Sequence, residues 1–210
     1  MTNSPEAAHV ALTRLRDGNQ RFASDSQGQN ALTGQERRSE LAAWQEPFAI
    51  ILGCSDSRVP AEIVFDQGLG DLFVIRVAGN IVAQSQIGSV EFAVEKFGTP
   101  LVVILGHSMC GAVQAAVEEL ERSTESRSPN LRSIVSRIRP AVETLLETYD
   151  HSDAAALLNH AVRANIRASA NSLRHGSQML EALIDRNELL VVGAEYSVDT
   201  GVVEFFDGID

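Results

Sequence analysis

Cys54, His107 and Cys110 are the residues of this chain best suited to chemistry. Two thiols and an imidazole make a ligand set for a catalytic zinc ion. Both donor types are borderline-soft, and three protein ligands leave a fourth tetrahedral position open. His107 and Cys110 form a short chelating pair with two residues between them, and Cys54 would close the set from elsewhere in the chain. A structural zinc more often has four closing ligands, and the sequence supplies no third cysteine. Asp56 and Arg58 stand beside Cys54 at a spacing that permits a charge-assisted bidentate pair. Next to a metal, Arg58 can hold Asp56 off the ion while the held carboxylate accepts a hydrogen bond from metal-bound water. Released by Arg58, Asp56 could take the fourth position itself.

Plainer readings stand beside these. A buried cysteine is usually an inert small hydrophobe, His107 could be a satisfied core or loop histidine, and the Asp56–Arg58 pair could simply brace a loop. A nucleophilic Cys54 with Arg58 gripping a phosphate fails, because cysteine phosphatases need a longer spacing than the three residues that intervene here. Asp56 would also repel the anion. Gly68-Leu-Gly70 is too short for a dinucleotide loop and precedes a strand, so it reads as a turn. The other histidines, His9, His151, His160 and His175, fall in helical or solvent-rich contexts whose default is the surface.

Buried strands position the reactive residues. The apolar runs 48–52, 72–75, 101–105 and 189–192 suit strands covered on both faces. Residues 54–58 follow the first run and 106–111 follow the third. Ligands of open α/β sheets bind beyond the carboxyl ends of the strands, so the two loops are expected to be neighbours. Helical patterns separate the strands. Ser4-Pro5 reads as an N-cap and first-turn proline, with Val10, Leu12, Leu15 and Phe22 forming an apolar face. Thr33-Gly-Gln-Glu36 fits a capping box for a short helix through Leu41 and Trp44. Ile87, Val90, Val94 and Phe97 recur at helical spacing until Gly98-Thr-Pro100 stops them. Residues 112–120 are amphipathic and 121–129 read as a charged surface loop. Stretches 134–146 and 154–184 are helical, with Pro140 near the start of a turn and Gly176 as a break. Strands alternating with helices imply one α/β domain with a parallel sheet and a helical C-terminal half.

Composition narrows the class. Of 210 residues, 44% are hydrophobic and 21% charged, which excludes disorder for most of the chain. A domain of this size buries roughly 70% of its unfolded surface and needs no disulfide to hold a core. The net charge of −11 would repel a phosphate backbone, so nucleic-acid binding is not expected. No stretch approaches the roughly 20 apolar residues that cross a bilayer, and residues 1–10 lack the order of a signal peptide. A cytoplasmic protein is expected, without a Cys54–Cys110 disulfide.

Cys54-Ser-Asp-Ser-Arg58, Arg76-Val-Ala-Gly-Asn80 and Gly106-His-Ser-Met-Cys-Gly111, in that order, resemble the loops of the β-class carbonic anhydrases. The similarity continues through Leu15-Arg-Asp-Gly-Asn-Gln-Arg-Phe22 and residues 191–201. It covers nearly the whole chain, with residues 121–153 least informative. The resemblance implies one zinc ion per subunit on Cys54, His107 and Cys110, and matches Asp56 and Arg58 to the family's aspartate–arginine dyad. Gly111 falls at the glycine whose amide faces bound bicarbonate, Gln45 at a pocket glutamine, and Phe73 and Phe92 where apolar residues line the pocket. The implied fold is α/β, a mainly parallel central sheet flanked by helices, with an extending N-terminal helix that embraces a partner subunit. A homodimer or homotetramer follows, with cavities near the subunit interface. The single domain, 1–210, then divides into an N-terminal helical arm, 1–46, and an α/β core, 47–210.

The implied activity is reversible hydration of carbon dioxide to bicarbonate and a proton by zinc-hydroxide attack, zinc lowering the pKa of its water to about 7. Carbon disulfide and carbonyl sulfide hydrolases resemble the same scaffold, and a non-catalytic zinc-containing bicarbonate sensor is an alternative of another class. Retention of Asp56 and Arg58 argues for turnover. Some family members close the site with the aspartate at lower pH, which makes Asp56 a zinc ligand in the closed state only. Some also bind inhibitory bicarbonate with a tryptophan, an arginine and a tyrosine. Arg76 and Tyr196 match that second site, and Ile51 replaces the tryptophan.

Overall fold

The computed structural model describes residues 5–27, 34–121, 128–148 and 153–209. Ser4, Thr33, His151 and most of the 121–129 loop therefore lie outside the described residues. Five strands form one sheet: β1 (Ala49–Gly53), β2 (Leu72–Arg76), β3 (Leu101–His107), β4 (Leu190–Tyr196) and β5 (Val203–Asp207). Their order is β2-β1-β3-β4-β5. The first four run parallel, and β5 returns antiparallel to β4. β1 and β3 are buried at every position, because the central strands of a parallel sheet have helices on both faces. This explains their unbroken apolar sequences. β5 had no counterpart in the sequence reading. It is a short edge strand with Val203 and Phe205 buried and Glu204 exposed, a pattern too brief to stand out without β4 beside it.

One face of the sheet is covered by α4 (Gln84–Phe97), α5 (Gly111–Glu121), α6 (Pro129–Thr148), α7 (Ala154–Arg174) and α8 (Gln178–Asp185). Ile104, Ile138, Val142, Ile166 and Leu173 meet there in the larger core. On the other face α1 (Pro5–Ala23) and the single-turn α3 (Ala61–Val64) pack through Leu12, Leu15, Val64 and Phe65. The turn α3 was not read from the sequence.

Three local readings are corrected. Val10 is 63% exposed, because the buried stripe of α1 runs through Ala8, Ala11, Leu12, Leu15 and Asn19, and Val10 turns away from it. The short helix α2 (Gln35–Leu41) has Gly34 rather than Thr33 as its N-cap, with no side-chain cap bond, and Trp44 lies beyond its end. Pro140 sits inside α6 rather than at a turn. Packing of Val135, Ile138 and Val142 into the core outweighs the local penalty of the proline. Gly98 and Gly176 behave as expected: Gly98 closes α4 in the left-handed conformation, and Gly176 separates α7 from α8. No described helix is long and apolar enough to cross a membrane.

Parallel register decides where the loops emerge. Gly53 at the end of β1 is level with Arg76 on β2 and Leu105 on β3. The chain therefore leaves all three strands at nearly the same height, on the same edge of the sheet.

Candidate metal centre

Cys54 follows the last residue of β1, His107 ends β3, and Cys110 immediately precedes α5. Their ligand atoms all lie within 4.8 Å of one another, and all three residues are buried. A turn at Ser108-Met109 makes this approach. Met109 takes a φ of 55°, a left-handed conformation uncommon outside glycine, and so folds Cys110 back toward His107. The second device is the 3-10 turn Ala78–Asn80 after β2, where the Gly79 N–H donates to Cys54 Sγ at 3.3 Å. With φ at 69° and a Cβ position that would crowd Ile138 and Ala112, residue 79 has to be glycine.

The hydrogen bonding of His107 decides its chemistry. Nδ1 lies 2.9 Å from the Ser108 carbonyl oxygen. A carbonyl can only accept, so Nδ1 carries the proton and Nε2 presents a lone pair. Nε2 is buried and has no hydrogen-bond partner among the described residues. An orphaned polar atom of this kind costs on the order of 1–3 kcal/mol, which a bound cation would remove. The sulfurs point the same way. Cys54 is pulled down to about 4, chiefly because the Cys110 thiol donates to it against the effect of burial, with the nearby His107 ring and the backbone N–H groups of Asp56 and Gly79 adding to the pull. That same bond and burial push the Cys110 thiol up. Burial opposes charge on His107, but the neighbouring Cys54 thiolate outweighs it and raises the imidazole above its ordinary range. One thiolate, one thiol and an imidazole thus share a small anionic pocket. A divalent cation would let both sulfurs ionise and would take the Nε2 lone pair, so the residues present fit zinc.

Asp56 faces this group. Its Oδ2 is 3.8 Å from His107 Nε2, too far for a hydrogen bond. Arg58 holds the carboxylate from the other side. Nε donates to Oδ1 at 2.9 Å, Nη2 to Oδ2 at 2.8 Å, and the Arg58 backbone N–H to Oδ1 at 3.0 Å. These bonds keep the Asp56 carboxyl well below the usual carboxylate range. Arg76 clamps the loop itself, donating to the carbonyls of Cys54 at 3.1 Å and Asp56 at 2.6 Å. That clamping role was missed in the sequence, where Arg76 stood out only as the end of a strand and as a match to the second bicarbonate site.

The remaining candidates separate into two places. Gly111 opens α5 beside Cys110; a Cβ there would meet nothing within 4 Å, and its N–H has no carbonyl to bond within the helix. Gln45, Phe73 and Phe92 are elsewhere. Phe73 packs against Phe92 and Phe97 at centroid distances of 6.2 and 6.1 Å on the open edge of β2, and Trp44 meets Phe97 at 5.7 Å. Gln45 lies in the same region, lining a surface depression of about 570 Å³ with Trp44, Lys96 and Phe97. It precedes β1 at the opposite end from Cys54. No described hydrogen bond joins the side chains of Arg76 and Tyr196. Strands β1 and β3 stand between theirs, a separation of roughly 14 Å. Asp56 belongs to Arg58 here and is not one of the clustered ligands. His9, His160 and His175 are all on the surface.

A mainly parallel α/β sheet with a buried Cys-His-Cys group at its carboxyl edge defines a metal-binding enzyme scaffold of a particular kind. The family profile described as carbonic anhydrase matches residues 49–203. Carbonic anhydrase 2 of Mycobacterium tuberculosis is 36% identical over 192 residues, covering 91% of this chain and 89% of its own. The carbonic anhydrase of Mycolicibacterium smegmatis is 38% identical over 210 residues, covering 97% and 95%. Among solved structures, the β-carbonic anhydrase CcaA superposes with a TM-score of 0.77 at 25% identity, covering 94% of this chain and 96% of that one. The chain belongs to the carbonic anhydrase family, and its fold is that of the β class.

Proposed function

We propose that this protein catalyses the reversible hydration of carbon dioxide to bicarbonate and a proton. The observation that carries the reading is the buried His107 Nε2, unpartnered among the described residues and facing two sulfurs, with an ionised Asp56 beyond it. Bound by Cys54, His107 and Cys110, zinc would supply the Lewis acidity that makes water a nucleophile near neutral pH.

The chain's own groups do the rest. Asp56 stays ionised because Arg58 holds it, so its oxygens can only accept hydrogen bonds. Oδ2 is the oxygen nearer the ligand group, and it accepts from the attacking water, turning a lone pair toward the carbon of carbon dioxide. Arg58 fixes that acceptor and supplies no proton. Arg76 keeps the loop that carries both from shifting. The Gly111 N–H, at the positive end of α5, would take an oxygen of the product anion. A side chain there would enter that space. Asp56 acting as a fourth ligand in a closed state would first have to give up its three bonds to Arg58.

Stopped-flow hydration of carbon dioxide tests the activity. The expected result is a wild-type rate far above buffer and a large loss in Asp56→Ala. A wild-type rate no better than buffer would leave a non-catalytic zinc protein.

The reading includes a homo-oligomer. Phe92 is 53% exposed and Trp44 49% exposed, and both adjoin the open edge of β2, the surface expected to receive a second copy. Gln45 is separated from the Cys54 of its own chain by the length of β1, roughly 16 Å, so its pocket role would be served across a subunit boundary, with Phe73 and Phe92. The chain is taken as one domain whose 1–46 arm also contributes to assembly, as a dimer or a tetramer. Sedimentation of Phe92→Asp checks this: a shift toward monomer is expected, and an unchanged oligomer would place the contact elsewhere. A cytoplasmic setting suits thiol ligands that must stay reduced.

A further inference from the structure

We infer that Ser108 is a positioning residue for His107, held in place by a buried polar brace that begins on the first helix at Asn19. The inference rests on the reading of Cys54, His107 and Cys110 as zinc ligands. It explains two motifs to which that reading assigns no task, the 15–22 stretch in α1 and the 191–201 stretch that ends in the turn between β4 and β5.

Ser108 is tied at three points. Its carbonyl accepts the proton of His107 Nδ1 at 2.9 Å, the bond that directs the Nε2 lone pair toward the sulfurs. Its own N–H donates to the Tyr196 carbonyl at 2.9 Å. Its Oγ accepts from the Val198 N–H at 3.0 Å, across 90 residues of sequence. A peptide anchored by both its N–H and its side chain cannot easily rotate, so the carbonyl that sets the histidine is fixed. Outer contacts of this kind orient metal-binding imidazoles and tune their affinity.

The anchor is itself anchored. Val198 lies in the turn 197–202, which is closed by Ser197 N–H to the Val202 carbonyl and Gly201 N–H to the Ser197 carbonyl, each at 2.9 Å. Ser197 Oγ also accepts from the Thr200 N–H at 3.2 Å. Asn19 of α1 grips the far end of this turn. Its Nδ2 donates to the Gly201 carbonyl at 2.8 Å and to the Val64 carbonyl at 3.1 Å, and its Oδ1 accepts from the Val203 N–H at 2.8 Å. Asn19 is only 4% exposed and satisfies three backbone groups on two separate segments. A buried amide with both donors and its oxygen engaged specifies geometry more than it adds stability. The seating of α1 on the sheet therefore sets the turn, the turn sets Ser108, and Ser108 sets His107.

The test measures zinc affinity by competition with a chromogenic chelator, and the visible spectrum of the cobalt(II)-loaded protein. Ser108→Ala is expected to weaken zinc binding by about 10-fold or more and to shift the cobalt bands, with Ser108→Thr restoring both by keeping an acceptor oxygen. Asn19→Ala and the milder Ser197→Ala should move both readouts in the same direction by less. Leu180→Ala, a core truncation on the opposite face of the sheet and outside the brace, should lower the melting temperature and leave zinc affinity unchanged. Wild-type affinity in Ser108→Ala would overturn the inference. So would a loss in Leu180→Ala equal to that in Asn19→Ala at the same melting temperature. Failure of the wild-type protein to bind zinc would instead condemn the metal reading on which the inference rests.

Discussion

The carboxyl edge of β1 and β3 and the neighbouring face of β4 and β5 each gather charge, and they resolve it differently. Around Arg163 the opposite charges are paired. Its guanidinium donates to Glu204 at 2.7 and 3.0 Å and to Glu195 at 3.3 Å, and it stacks 3.8 Å over the Phe206 ring. At the metal centre, His107 Nε2 is buried without a partner among the described residues, and two sulfurs compete for one negative charge. Met109 adds backbone strain there. A saturated cluster stabilises the fold; an unsaturated one, held open by its neighbours, keeps the capacity to bind. Natural folds break the rule of full satisfaction mainly where function requires it.

The contrast is broken most directly at the ligands. Cys54→Ser or His107→Ala should abolish stoichiometric zinc, a loss beyond the roughly 100-fold upper range of outer contacts. Metal analysis after dialysis reads this, and a full equivalent retained in either variant would put the unsatisfied nitrogen and sulfurs to some other use. Asp56→Ala comes next. It should keep its zinc and lower kcat/KM by about 100- to 10,000-fold, the range for a positioned proton-transfer group.

Arg163→Ala should do the opposite, sparing zinc and turnover while lowering stability by roughly 1–2 kcal/mol at neutral pH. Its pH dependence follows from the two carboxylates. Burial raises Glu195 above the usual carboxylate range against the pull of Arg163, and Arg163 holds Glu204 below that range. In acid both carboxyls are protonated and the arginine has no charge partner to lose. As pH rises through the carboxylate range both ionise, so the penalty should grow toward neutrality. Urea unfolding of mutant and wild type at pH 4 and pH 7.5 checks the sign; equal penalties would mean that Arg163 acts by packing on Phe206. The smallest effect concerns strain. Met109→Gly should raise stability by a few tenths to about 1 kcal/mol by relieving the left-handed φ, and a lower melting temperature would show that the methionine side chain contributes packing.

Much of this was legible beforehand because it is written in local pattern. The runs 48–52 and 101–105 are apolar without alternation since β1 and β3 are buried on both faces, and the reactive residues follow them directly. Gly98 and Gly176 punctuate the helices where the chain has to turn. β5 was not legible. Its alternation spans only three or four residues and depends on pairing with β4. Val10 was misplaced because it lies one step off the true stripe of α1, half of which is marked by alanines and a glycine in place of large apolar residues. Pro140 was misjudged because tertiary packing carries α6 through it.

The amino-acid sequence by itself determined the donor types, their order, and the buried strands that deliver them, since each depends on side-chain chemistry and short-range periodicity. Only the tertiary structure decided which imidazole nitrogen faces the sulfurs, that Arg76 grips the Cys54 loop, and that Gln45 stands at the far end of the sheet from the metal ligands of its own chain. Those outcomes rest on hydrogen bonds and strand registers between segments that are distant in sequence, and no local pattern encodes where such partners meet.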